Sequence, residues 1–116
     1  MRLLIDTKDI TFRVAGLAKP RPDYRDKSGS TQARTSDADG RRPIWTVRLD
    51  AVDAGRATKE TIFVEVAGDE PRLTFDGYAL VRVLVFAPWV GNDGKIKRAF
   101  RAEAVEPAPS GKVQAA

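Results

Sequence analysis

Neither histidine nor cysteine occurs in the 116 residues, and methionine occurs once. With no imidazole and no thiol there is no His/Cys metal site, no thiolate nucleophile, no imidazole base and no disulfide. Chemistry would fall to carboxylates, hydroxyls or lysine, and these are not grouped as an enzyme groups them. Asp69–Glu70 and the Asp50/Asp53 pair lie beside turns with no nucleophile or metal motif near them. Gly91-Asn92-Asp93-Gly94 has neither the spacing nor the following helix of a phosphate-cradling loop. The expectation is a protein without catalytic residues, bound metal or cofactor. Long apolar runs are also missing. Met1–Asp6 carries too few apolar residues for a secretory segment or a membrane span, so a cytoplasmic protein with no membrane partner is expected. The absence of cysteine forbids disulfides without fixing the redox compartment.

What is present is charge and alternation. Lysine and arginine number 20 against 16 acidic residues, a net +4 that favours polyanionic partners. The bases are concentrated: residues 95–101 hold Lys95, Lys97, Arg98 and Arg101 with no acid, whereas Asp50, Asp53, Glu65, Asp69, Glu70 and Asp76 are scattered. Ile10-Thr11-Phe12-Arg13-Val14 alternates with period two, the signature of a strand with Ile10, Phe12 and Val14 facing a core. Ile44–Ala51 repeats the pattern with Trp45, Val47 and Leu49 inward, and Glu60–Ala67 with Ile62, Val64 and Val66 inward and Phe63 outward. Asp53-Ala54-Gly55-Arg56 joins these two as a hairpin. In 67–77, Gly68, Pro71 and Gly77 leave no room for a stable helix and predict a loop or short strand. Tyr78–Phe86 is almost continuously apolar, which predicts a strand covered on both sides or a barrel strand. Pro88 to Gly94, including Trp89, reads as a turn, and the alternation from Ile96 to Glu103 as a fifth strand.

Five strands and no clear helix predict an all-β protein: a small five-stranded antiparallel barrel, OB-fold-like, forming a single domain over residues 1–106. Residues 18–43 read as a long flexible basic loop, with seven bases (Lys19, Arg21, Arg25, Lys27, Arg34, Arg41, Arg42) against four aspartates. Residues 107–116 read as a disordered C-terminal tail. In an OB barrel the loops joining strands one to two and four to five flank the ligand groove, and both counterparts here are basic.

Several short motifs carry a family likeness. They are Ile5-Asp6-Thr7 with Ile10-Thr11-Phe12, Pro43-Ile44-Trp45-Thr46-Val47, Ala87-Pro88-Trp89, and Ala99-Phe100-Arg101-Ala102-Glu103-Ala104-Val105. Together they resemble small regulatory proteins of actinomycete plasmids and integrative elements, described as replication, integration and excision activators. The likeness spans most of residues 1–107 outside the long loop. It implies a role in plasmid or element maintenance beside DNA and supplies no set of functional residues. The architecture is also similar to OB-type single-stranded DNA-binding proteins. The ending Gly111-Lys112-Val113-Gln114-Ala115-Ala116 departs from the acidic, aromatic-capped tail of the bacterial members.

Each candidate site residue has two readings. Phe63 is a platform for stacking a base, or a dimer contact or second core layer. Arg48 and Thr46 would lie beside it on the neighbouring strand. Trp89 would touch a partner from a turn or fold over a barrel end. Arg82, which breaks an apolar strand, meets a phosphate or pairs with Glu65 or Glu103. Arg41, Arg42, Lys95, Lys97, Arg98 and Arg101 form an electrostatic track for phosphates or a solvated charged face. The first expectation is a non-catalytic binder of single-stranded DNA, with RNA the other strand type that fits, in plasmid or mobile-element replication. The alternative is a regulatory protein-interaction module that contacts no DNA, acting as a homodimer or as an adaptor for a replication or excision protein.

Overall fold

A computed structural model describes residues 3–23, 28, 31–35, 41–56, 58–91 and 93–109, with the backbone only at Trp89 and Lys97. Within them the protein is all-β and contains no helix. Ten strands follow in chain order: β1 (Leu3–Leu4), β2 (Ile10–Pro20), β3 (Ile44–Asp53), β4 (Thr58–Ala67), β5 (Tyr78–Arg82), β6 (Val85–Phe86), β7 (Trp89–Val90), β8 (Ile96–Lys97), β9 (Phe100–Ala102) and β10 (Ala104–Ala108). Eight form one sheet in the order β1-β6-β9-β4-β3-β2-β5-β10, and β7 pairs only with β8. The sheet is a curled half-barrel of eight strands where five in a closed barrel were expected.

The alternating segments behave as their period requires. Phe12 and Val14 on β2, Val47 and Leu49 on β3, and Ile62, Val64 and Val66 on β4 are buried against one another. Each such side chain taken from water contributes roughly 1.5–3 kcal/mol. β3 and β4 pair antiparallel without a slip from Ile44↔Ala67 to Asp53↔Thr58. β2 pairs with β3 through two register shifts around Gly16, where a residue without a side chain accommodates the irregularity.

The strands from β5 to β10 are pieces of one long hairpin. Pairs run from Tyr78↔Ala108 through Arg82↔Ala104, Val85↔Arg101 and Phe86↔Phe100 to Val90↔Ile96, one step on one side matched by one step on the other. The intervening links are Glu103 N–H to Arg82 O (3.0 Å), Ala87 N–H to Ala99 O (2.7 Å) and Gly91 N–H to Lys95 O (2.9 Å). The base of this hairpin pairs with β2 through Phe12↔Ala79 and Arg13↔Tyr78, and its middle pairs parallel with β4 through Val64↔Phe100, Glu65↔Arg101 and Val66↔Ala102. To serve both partners the hairpin bends at Val83 and Glu103, between the two pairings.

The bend explains why 78–86 looks apolar throughout. Ala79 and Val81 face the core before it and Leu84 after it, while Val83 between them is 47% exposed. Two half-buried alternations offset by one residue merge into a continuous apolar run, so the strand covered on both sides is replaced by one that changes face. Val83 makes the change with φ = 55°, a left-handed conformation that costs a β-branched residue on the order of 1–3 kcal/mol.

Two boundaries move. β2 runs six residues past Val14, so Lys19 and Pro20 pair with Thr46 and Trp45 and are not free loop. At the other end, Pro107 and Ala108 belong to β10, opposite Ala79 and Tyr78, so the strand outlasts the expected start of the tail. β10 is a terminal strand, a position that tolerates a residue with no N–H. Residues 110–116 of the expected tail lie outside the described residues.

Asparagine tolerates the left-handed conformation better than valine. Val83→Asn is therefore expected to stabilise the protein by ~1 kcal/mol, a rise of several degrees in Tm by calorimetry. A fall in Tm would mean that the valine side chain contributes more than its backbone conformation costs.

Candidate nucleic-acid interface

The outward face of β3 and β4 follows from the register. Arg48 stands directly opposite Phe63, so their Cβ atoms lie within cross-strand contact range, and Thr46 is opposite Glu65, diagonal to Phe63. The triplet expected from the sequence is thus assembled, with Phe63 59% exposed. On the far side of β3, Gly16 is the register partner of Arg48. A Cβ at Gly16 would lie 3.5 Å from Arg48 Cβ and 3.8 Å from Arg48 Cδ, so the arginine stem runs over the glycine towards β2 and away from the Phe63 ring. Lys19, opposite Thr46, brings a further cation to this face.

The acids of the face already have partners. Asp50 accepts a 2.6 Å hydrogen bond from Thr61 Oγ1 and has Lys59 Nζ at 3.8 Å. Glu65 has Arg21 Nε at 3.4 Å, both side chains less than one-third exposed. Among the described residues Arg48 makes no ion pair. Neutralised carboxylates beside an uncompensated guanidinium and an exposed ring suit an anionic ligand with a flat apolar part.

The parallel pairing of β9 with β4 sets Arg101 opposite Glu65, which extends the face by one strand. Arg101 and Arg42 line a shared cleft of about 570 Å³ at the end of β4. Arg98 is engaged elsewhere, donating to Glu60 Oε1 at 2.8 Å. Lys95 is exposed at the hairpin tip, where its N–H donates to Asp93 Oδ1. Trp89 and Lys97 are paired across β7 and β8, so Trp89 belongs to a strand and not to the turn expected for it. The same tip exposes Val90 and Ile96, another directly opposed pair. Arg82 is paired with neither Glu65 nor Glu103: its Nε lies 3.3 Å from Glu106 Oε2, along β10. Arg41 is exposed at φ = 54°, its carbonyl accepting from Arg34 Nη1.

Part of the 18–43 segment is ordered against this face. Arg21 N–H donates to Ile44 O, Ile44 N–H to Ala33 O and Ala33 N–H to Arg21 O, with Asp23 N–H to Thr31 O and Gln32 Nε2 to Ile44 O. Ala33 is buried. Arg25 and Lys27 of the basic loop lie outside the described residues. Sequence reasoning overlooked the Arg21–Glu65 pair and the strain at Val83. A lone glycine within an alternating strand was the available sign of close approach at Arg48.

Among the described residues no group of three His, Cys, Asp or Glu side chains is placed to hold a metal ion, and no helix is long and apolar enough to cross a membrane. No family model, curated protein or solved structure matches the chain.

The backbone bonds of the long connection predict slow amide exchange at Arg21, Ala33 and Ile44 relative to Arg42, whose N–H donates to the Thr35 hydroxyl. Exchange by NMR that is equally fast at all four would show that these bonds do not persist in solution.

Proposed function

We propose that the protein is a non-catalytic binder of single-stranded nucleic acid, DNA in the first place, acting in replication or maintenance of a plasmid or mobile element. The observation that carries this reading is Arg48 set opposite an exposed Phe63 on a face whose acids are already paired. Guanidinium groups hold phosphates, and a base stacked on Phe63 contributes ~1–3 kcal/mol without demanding a sequence.

The pairing pattern supports an OB-like working shape. β2, β3 and β4 form a meander, and one hairpin pairs with both its first and its third strand. That is a Greek-key plan of five chain segments, in which the β3–β4 face and the 21–43 and 91–95 connections would flank the ligand as in OB barrels. The plasmid context comes from the likeness of the motifs at 5–12, 43–47, 87–89 and 99–105 to activators of such elements.

A second reading has its own observation. Val90 and Ile96 are 67% and 74% exposed, directly opposed on the hairpin tip, which suits a protein partner or a second copy of the chain with no DNA contact.

Fluorescence anisotropy with a labelled strand of ~30 nucleotides, longer than one OB site, separates the two. The first reading expects affinity that falls steeply with salt and favours the single strand over its duplex. Phe63→Ala should weaken binding roughly tenfold to a hundredfold, and Arg48→Gln should lower the salt slope by about one unit. Equal affinity for the duplex or an absence of salt dependence would overturn it, and no binding even at low salt would favour the protein-partner reading.

A further inference from the structure

The cleft at the end of β4 has features that the β3–β4 face does not need. Arg42 enters it from the segment returning to β3, and Arg101 from β9. Arg101 makes no ion pair among the described residues. Among the described residues Glu103 is the one acid in the lining. Between the charged groups the surface is aliphatic, from Val83, Val85 and Ala102. A volume of about 570 Å³ lies within the roughly 300–1,000 Å³ of sites that enclose a small ligand. Val83 is held in the wall with φ = 55° and its side chain half exposed. A β-branched residue in that conformation persists only where its surroundings impose it, and such residues concentrate at ligand sites.

We infer that this cleft is a mononucleotide subsite, in which Arg42 and Arg101 clasp one phosphate and the aliphatic wall takes the attached base. The ligand class rests on the nucleic-acid reading above, and the subsite adds a cleft that takes one nucleotide while its neighbours lie on an open face. The guanidinium fork is matched to the paired oxygens of a phosphate, which suits a phosphodiester or a monoester. Glu103 disfavours the higher charge of a triphosphate. The nucleotide comes either from within a bound strand or from free nucleoside monophosphate, and the same contacts serve both. Because Arg101 shares its register with Glu65, next but one to Phe63 on β4, a strand crossing the open face leads to the cleft without leaving the sheet.

The test uses the full chain, titrated separately with thymidine monophosphate, thymidine and inorganic phosphate and followed by NMR chemical shifts. Monophosphate is expected to shift the amides of Arg42, Val85 and Ala102 with at least tenfold higher affinity than either thymidine or phosphate. Arg101→Gln and Arg42→Gln should each reduce that affinity at least tenfold with Tm unchanged, and Phe63→Ala should leave it as it was. If the ~30-nucleotide strand binds in a Phe63-dependent way while monophosphate does not bind and Arg101→Gln leaves strand affinity intact, the subsite is overturned and the nucleic-acid reading stands. If monophosphate binds as expected and the strand does not, the subsite stands as one for free nucleotides and the strand reading falls. Phosphate binding as tightly as monophosphate would overturn the subsite, because the aliphatic wall would then hold nothing.

Discussion

One long hairpin has to satisfy two partners that lie on opposite sides of a three-strand meander, and most of the structure follows from that demand. Its base pairs with β2 and its middle with β4, in unbroken register between its own two arms. A straight ribbon cannot do both, so both arms bend together at Val83 and Glu103 and exchange their inner and outer faces there. The exchange keeps Ala79, Val81 and Val105 in the core on one side of the bend and Leu84 with Phe100 on the other. It also opens the cleft into which Arg42 and Arg101 project. Backbone strain at one valine is the local cost of a shape in which the described residues bury a core without any helix.

The open face is shaped by a different economy, that of charge. β3 and β4 carry Asp50 and Glu65 outward on either side of Phe63, and acids there would repel a polyanion. Each is occupied: Asp50 by Thr61 and Lys59, Glu65 by Arg21. Where a partner is exposed, as Lys59 is, such pairs contribute little to stability. Their effect is on the local potential, which is left to Arg48 and Lys19, with Phe63 between the neutralised positions. The modest net charge of +4 therefore understates how positive this patch is.

How far the sequence could be read depended on whether its signals were local. Strict alternation on 10–14, 44–51 and 60–67 reports one buried face, and those inward residues are the core. The Arg48–Phe63 pairing was legible for the same reason, since a short turn fixes the register of the hairpin that holds both. The bend at Val83 was not legible, because a change of face erases alternation and imitates a fully buried strand. The order in 18–43 was also hidden: Arg21, Ala33 and Ile44 are tied by main-chain bonds that leave no mark on side-chain pattern. Pro107 concealed the end of β10 because proline suggests a strand's end, and only the position at the margin of the sheet makes it compatible. The pairing of Arg82 with Glu106 depends on β10 reaching that far, so it was missed together with the strand.

The two ends of the eight-stranded sheet have a consequence for life at high concentration. An unpaired strand margin is a template on which another chain can zip, the first step of edge-to-edge aggregation. Among the described residues one margin is β1, two residues long, and the other is β10, which presents Glu106 and Pro107 in sequence. The first is too short to hold a second strand in register, and the second interrupts the ladder with a missing donor beside a charge. Neither margin of this sheet offers a second copy a long regular ladder, a safeguard that an all-β arrangement builds into its edges.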